Sequence, residues 1–125
     1  MSTLTPAEAA KLAFSLIQKI RQTFPDQKQL TLSSAATLMA VLANPGIKQA
    51  DLEQAVGGVK TGALSKQLDL FSARHDKSTE AKKLIVKERN SENLKLNDII
   101  VTEEGQRFAI DFAHFVNKQL DRLQR

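Results

Sequence analysis

Apolar residues recur at helical spacing through Phe71 and again from Phe108, but between Leu84 and Val101 the period changes. Leu84-Ile85-Val86-Lys87-Glu88-Arg89 reads as one strand and Leu94 to Val101 as another. Asn90-Ser91-Glu92-Asn93 between them has turn chemistry. A single hairpin set late in an otherwise helical chain makes the expected fold class mainly α with a small β-hairpin.

The helices announce their own ends. Thr5-Pro6-Ala7-Glu8 offers a cap, a proline suited to the first helical position and a capping-box glutamate. Ala9, Leu12, Ala13, Leu16, Ile17, Ile20 and Phe24 follow at helical spacing, with Phe14 just outside the stripe, and Pro25-Asp26 ends the helix. A terminal helix apolar over more than half its circumference faces two surfaces, its own core and a partner. Thr31 caps a second helix to about Ala43, with Leu32, Ala35, Ala36, Leu38, Met39 and Leu42 mostly buried. Asn44-Pro45-Gly46 is a turn. Ile47 leads into a short helix from Gln49 to about Val56, and Gly57-Gly58 permits a tight turn.

Lys60 to His75 (KTGALSKQLDLFSARH) then places Leu64, Leu68 and Phe71 at i, i+4 and i+7, a buried stripe. Its other side carries Thr61, Gly62, Ser65, Lys66 and Asp69. Asp76 to Lys83 is a charged loop or a fraying extension. After the hairpin, Thr102-Glu103-Glu104 opens a last helix with the stripe Phe108, Phe112, Phe115, Val116, Leu120 and Leu123. Acids begin it and Arg122 and Arg125 end it, as the helix dipole favours. Helix, tight turn, helix, then β-ribbon is the order of a winged helix-turn-helix that reads DNA. The expected layout is one winged-helix domain over 1–125: terminal dimerisation helices at 6–24 and 103–124, a helix-turn-helix region at 31–75 and a wing at 84–102.

Charge placement agrees. Residues 60–95 hold nine Lys/Arg against five Asp/Glu, whereas residues 1–59 hold five against four and residues 96–125 four against five. The excess of the +4 net charge thus falls on the proposed reading helix and wing, where phosphates would be met. With no cysteine, a disulfide framework, a thiolate zinc site and a thiol redox sensor are excluded. MSTLTPAEAAKL lacks the basic and apolar regions of a signal peptide. No apolar run approaches ~18 residues, so no membrane span is expected and the expected location is the cytoplasm.

In these pieces the chain resembles the multiple-antibiotic-resistance-regulator (MarR) family of winged-helix transcription factors, as a short variant. The matching segments are Leu30-Thr31, IKQADLEQAVG (Ile47 to Gly57), GALSKQLDLFSAR (Gly62 to Arg74) and VTEEGQRF (Val101 to Phe108). They cover roughly residues 30–112 in the family's order. The resemblance implies an α-β-α-α-β-β-α layout, a homodimer joined through the terminal helices, and repression of nearby genes, often relieved by a small ligand. Where the family's wing commonly has Asp-x-Arg, this chain has Arg89-Asn90-Ser91-Glu92-Asn93, so Arg89 or Lys87 stands in for the minor-groove arginine. One helix rather than two follows the wing.

The expected DNA-binding residues are Lys60, Thr61, Gly62, Ser65, Lys66 and Gln67 on the reading helix, with Lys87, Arg89 and Lys95 on the wing. Lys66 suits guanine, Gln67 suits adenine if it faces the groove, and Gly62 lets the backbone approach. The expected dimerisation residues are Leu12, Leu16, Ile20, Phe112, Phe115, Val116, Leu120 and Leu123. A two-fold dimer sets its reading helices about 34–36 Å apart, one turn of DNA, on an inverted repeat.

Phe14, Phe24, Phe108, Phe112 and Phe115 suit a small-ligand pocket or, more commonly, core and dimer packing. His75 and His114 have no metal-ligand spacing, so neither a metal nor a cofactor is expected. Gly57-Gly58 lacks a phosphate-loop context, and the carboxylates lie scattered among lysines; an enzyme is not expected. Two rival functions share the fold: a winged-helix protein-interaction module, kept open by Asp69, Asp76 and Glu80, and an architectural DNA-binding protein without a preferred site.

Overall fold

A computed structural model describes residues 3–24, 31–57, 61–72, 83–89 and 97–123. The elements run α1 (Pro6–Thr23), α2 (Leu32–Ala43), α3 (Gln49–Val56), α4 (Thr61–Leu70), β1 (Ile85–Arg89), β2 (Asn97–Val101) and α5 (Glu103–Leu123). The chain divides into two compact units, 31–108 and a second made of 1–30 with 109–125.

In the larger unit, Thr31 accepts the Ser34 backbone N–H at 3.0 Å and starts α2. The buried face of α2 is Ser34, Thr37, Leu38 and Val41. Leu32, expected with the core, is instead 74% exposed. It lies two residues before Ser34, some 200° around the helix at ~100° per residue, on the far side from that face. Ala36 is exposed as well. Leu38 and Val41 meet Leu52 of α3, Leu64 and Leu68 of α4, and Phe71, Leu84, Ile85 and Ile99 in one set of fully or almost fully buried side chains. Each such burial stabilises by about 1.5–3 kcal/mol. Gly57 ends α3 with φ +54°. That is a left-handed backbone in which a side chain is strained, and it turns the chain out of α3.

β1 and β2 pair antiparallel from Ile85 opposite Val101 to Arg89 opposite Asn97, so the expected hairpin is present. Its intervening residues, including the expected turn Asn90–Asn93 and Lys95, lie outside the described residues. The sheet gains a third partner from the segment between α2 and α3. Gly46 N–H donates to Ile99 O at 2.9 Å and Ile99 N–H to Ile47 O at 2.8 Å, beside a bridge between Lys48 and Asp98. This bridge stands where the layout implied by the family resemblance has its first strand.

Thr102 joins wing to last helix. Its N–H donates to Leu84 O at 2.9 Å, and its hydroxyl donates to Lys83 O while accepting from Gly105 N–H at 3.0 Å. The expected cap is therefore also a clasp that holds the start of β1 against the start of α5.

In the smaller unit, α1 opens with the expected capping box. Thr5 N–H donates to Glu8 Oε1 at 2.9 Å, and Glu8 N–H donates to Thr5 Oγ1 at 3.2 Å. The Thr5 backbone N–H, and after it the Thr5 side chain, bond the Glu8 carboxylate and hold its pKa below its ordinary value. The Lys19 ammonium lies 5.4 Å from the Phe115 ring centroid, a cation–π distance. Ile20 and Phe24 are buried, while Phe14, Ile17 and Ile110 are exposed. No helix among the described residues is long and apolar enough to cross a membrane.

Candidate nucleic-acid interface

The outward side of α4 is built by subtraction. Leu64, Leu68 and Leu70 are buried, which orients the helix and leaves Gly62, Ala63 and Lys66 exposed. Small side chains flank one cation, so a phosphate or base edge can come close to the helix backbone. The backbone of Thr61 begins the helix, whereas its side chain and all of Lys60 lie outside the described residues.

The remaining polar side chains of α4 hold the helix in place. Gln67 is bound at both ends of its amide to α2: Thr37 Oγ1 donates to Gln67 Oε1 at 2.7 Å, and Gln67 Nε2 donates to Ser33 Oγ at 2.9 Å. With its oxygen and one N–H engaged, this amide is turned to α2 rather than presented for a bidentate bond to adenine. Thr37 is wholly buried, and its oxygen also lies 3.1 Å from Ser33 O, so its single hydroxyl hydrogen is shared between that carbonyl and the closer Gln67 oxygen. The amide–hydroxyl pairing thus satisfies polar groups that would otherwise be costly inside the α2–α4 contact.

The wing grips the same helix from the other side. Lys87 Nζ lies 3.0 Å from Asp69 Oδ1, and only 8% of the Lys87 side chain is exposed. It also donates to Ser65 Oγ at 2.9 Å, with Ser65 O at 3.4 Å. Ser65 and Asp69 are four residues apart, one turn of α4, so one ammonium spans that turn. Lys87 is therefore turned into the molecule in place of the outward position expected of a wing cation. A signal for this existed in the sequence. Strand side chains alternate, and Lys87 shares parity with Ile85, which is buried. Opposite Lys87 in the ladder stands Ile99, also buried. Arg89 shares that parity; its side chain and the whole of Lys95 lie outside the described residues. Ser33 and Thr37 are the partners that local sequence patterns did not single out for this site.

Of the expected dimerisation residues, Ile20 is buried, while Leu12, Leu16, Phe112, Phe115, Val116, Leu120 and Leu123 are half-buried. Within the same unit a cavity of about 450 Å³ is lined by Ala10, Lys11, Leu12, Phe14 and Ser15 of α1 and by Gln119, Arg122 and Leu123 of α5. Apolar walls with two cations suit an organic anion. Neither His114, exposed on α5, nor any other described residue belongs to a group of three or more His, Cys, Asp or Glu able to hold a metal; His75 is outside the described residues.

No protein-family model matches the sequence, and no characterised protein matches it. Solved structures do match in fold. The structure of MarR aligns with TM-score 0.54 at 22% identity, over 95% of this chain and 81% of that one. The PcaV transcriptional regulator of Streptomyces coelicolor aligns with TM-score 0.54 at 19% identity, over 92% and 79%. Bordetella bronchiseptica BpsR, whose DNA binding is regulated by 6-hydroxynicotinic acid, aligns with TM-score 0.55 at 15% identity, over 98% and 81%. The fold is the MarR-type winged helix.

Proposed function

We propose that the chain is a homodimeric transcriptional regulator, most simply a repressor, that binds double-stranded DNA in a sequence-specific way and is not an enzyme. The observation that carries this reading is the division of labour on α4. Its inward polar groups, Gln67, Ser65 and Asp69, are tied to α2 and β1, while Gly62, Ala63 and Lys66 face outward. A helix fixed on two sides, with small residues and a cation outward, is suited to entering a major groove. Lys60, Thr61 and Lys66 are assigned to phosphates and base edges, and Arg89 and Lys95 to the backbone or minor groove beside them. The pairing of Asp69 with Lys87 offsets the charge that most favoured a protein partner on this face.

The dimer is assigned to the terminal helices, where Phe14, Ile17 and Ile110 are exposed beside the half-buried stripe from Phe112 to Leu123. Exposed aromatic and branched side chains grouped in one unit are a usual sign of an association surface. By analogy with BpsR, whose DNA binding a small carboxylic acid regulates, the cavity in this unit is assigned to an organic anion that modulates binding.

Selection from a random duplex library, followed by sequencing and repeated at two salt concentrations, tests the reading. The expected product is an inverted repeat with half-sites about one helical turn apart that survives the higher salt. Binding that disappears with salt and selects no motif would assign an architectural role. No binding at either salt would assign the protein-interaction role instead.

A further inference from the structure

We infer that Lys87 is a positioning residue for DNA reading: it sets the rotation of α4 against the wing, so that recognition helix and hairpin engage DNA as one body. The inference rests on the function proposed above and adds to it a residue that does not itself touch DNA.

Three observations carry it. The Lys87 side chain is almost fully removed from water, and its ammonium is within bonding distance of the Asp69 carboxylate and the Ser65 hydroxyl. These two groups lie one turn apart on α4, so the ammonium fixes the helix at two points along its axis, and a rotation of α4 breaks at least one bond. On the opposite flank, Gln67 is held by Ser33 and Thr37 of α2. Lys66, the exposed cation, lies between Ser65 and Gln67 in sequence, so its direction is set by both clamps. A rotation of one residue, ~100°, would turn it away from the groove.

A purely structural ion pair predicts something different. Asp69 is 43% exposed, so water can solvate its carboxylate when the partner is removed, and the stability cost of losing the pair is screened. If the pair served stability alone, its loss would lower the melting temperature and leave the preference for operator over random DNA unchanged. If it positions α4, the preference falls while the fold persists.

The test uses the full-length protein and the duplex obtained by selection, with a random duplex of equal length as competitor. Lys87→Met removes the charge and keeps the stem; Asp69→Asn removes the opposite charge at a half-exposed position and is the variant of choice if Lys87→Met does not fold. Either variant is expected to lower the ratio of specific to non-specific affinity by ~10-fold or more, the size of one lost base-pair contact. Non-specific affinity should change far less, and Lys87→Arg should restore most of the ratio. A specificity ratio equal to wild type in folded Lys87→Met or Asp69→Asn protein overturns the inference. A DNA-independent arm reads the geometry by itself. In nuclear magnetic resonance of the free protein, the Lys87 ammonium hydrogens should exchange slowly and show contacts to Ser65, and Asp69→Asn should speed their exchange. Fast exchange in the wild type overturns the positioning geometry, whereas wild-type protein that selects no duplex overturns the DNA-reading function and leaves this arm standing.

Discussion

Gly105, in the first turn of α5, lies against the backbone of Leu84, with no room between them for a side chain. A Cβ at residue 105 would collide with the Leu84 carbonyl oxygen and come within 2.9 Å of its carbonyl carbon and of Val101 Cγ1. The obstruction is mostly main chain, held by the Thr102 N–H bond to that same oxygen, so it cannot swing aside. Alanine at this position gains ~1 kcal/mol of helix propensity over glycine, and overpacking costs ~1–3 kcal/mol. Because backbone must move, the second effect wins. Gly105→Ala is expected to lower stability by ~1–2 kcal/mol in a urea titration; an unchanged or raised midpoint would show that α5 can shift freely off β1.

Gln67 offers a direct contrast between support and readout. In the selected duplex, Gln67→Ala should change no single base preference, because the amide already serves Ser33 and Thr37. It should cost ~1 kcal/mol of stability, as should Thr37→Val, which leaves Gln67 without its hydroxyl donor. The double variant should cost less than the sum, since the two changes share one bond. Loss of preference for adenine at one position would assign Gln67 to the groove after all.

Lys66 should behave in the opposite way. Lys66→Ala removes an exposed side chain and should leave the thermal midpoint within the small range usual for surface changes. If Lys66 meets a phosphate, the slope of log affinity against log salt falls by about 0.9 for each half-site. If it meets guanine, discrimination at that base pair falls by ~1–3 kcal/mol. A binding profile identical to wild type in both respects would remove Lys66 from the interface.

Acid should loosen the start of α1. Glu8 has its folded pKa lowered by the Thr5 bonds, so its contribution is present above the ordinary carboxylate value of 4.5. That contribution is lost as pH falls through the lower folded value. Amide protection in the first turn of α1 should decline below pH 4.5, after correction for intrinsic exchange. Glu8→Gln keeps a bonding group without the charge, so that decline should vanish; persistence of the decline would point to another carboxylate.

Much of this was legible in local sequence because the relevant chemistry is local. Thr5-Glu8, Thr31 and Thr102 cap helices through bonds to residues at most three positions away. The hairpin showed in its change of period, and the stripe of α4 in Leu64, Leu68 and Phe71, which are buried as expected. The face of α2 was not legible. LSSAATLMAVLA is apolar almost all round, so periodicity cannot choose a direction, and Leu32 is exposed where burial was expected. The direction of Lys87 was hidden differently. A lysine reads as surface by composition, and only its parity with Ile85 and its partners 18 and 22 positions away reveal the inward turn. Gly105 had no local signature, since its reason is a main-chain neighbour from another element.

The small sheet has one more property. At its base, the outer side of β2 is occupied by Gly46 and Ile47, and the outer side of β1 by Phe71 O, which accepts from both Leu84 and Ile85. A free strand edge invites pairing with another molecule. Here the outer edge is already taken by the chain itself at Ile99 of β2 and at Leu84–Ile85 beside β1, so a foreign strand meets an occupied edge at those positions. The contacts that seat the hairpin therefore also shorten the stretch of free edge it offers to another strand.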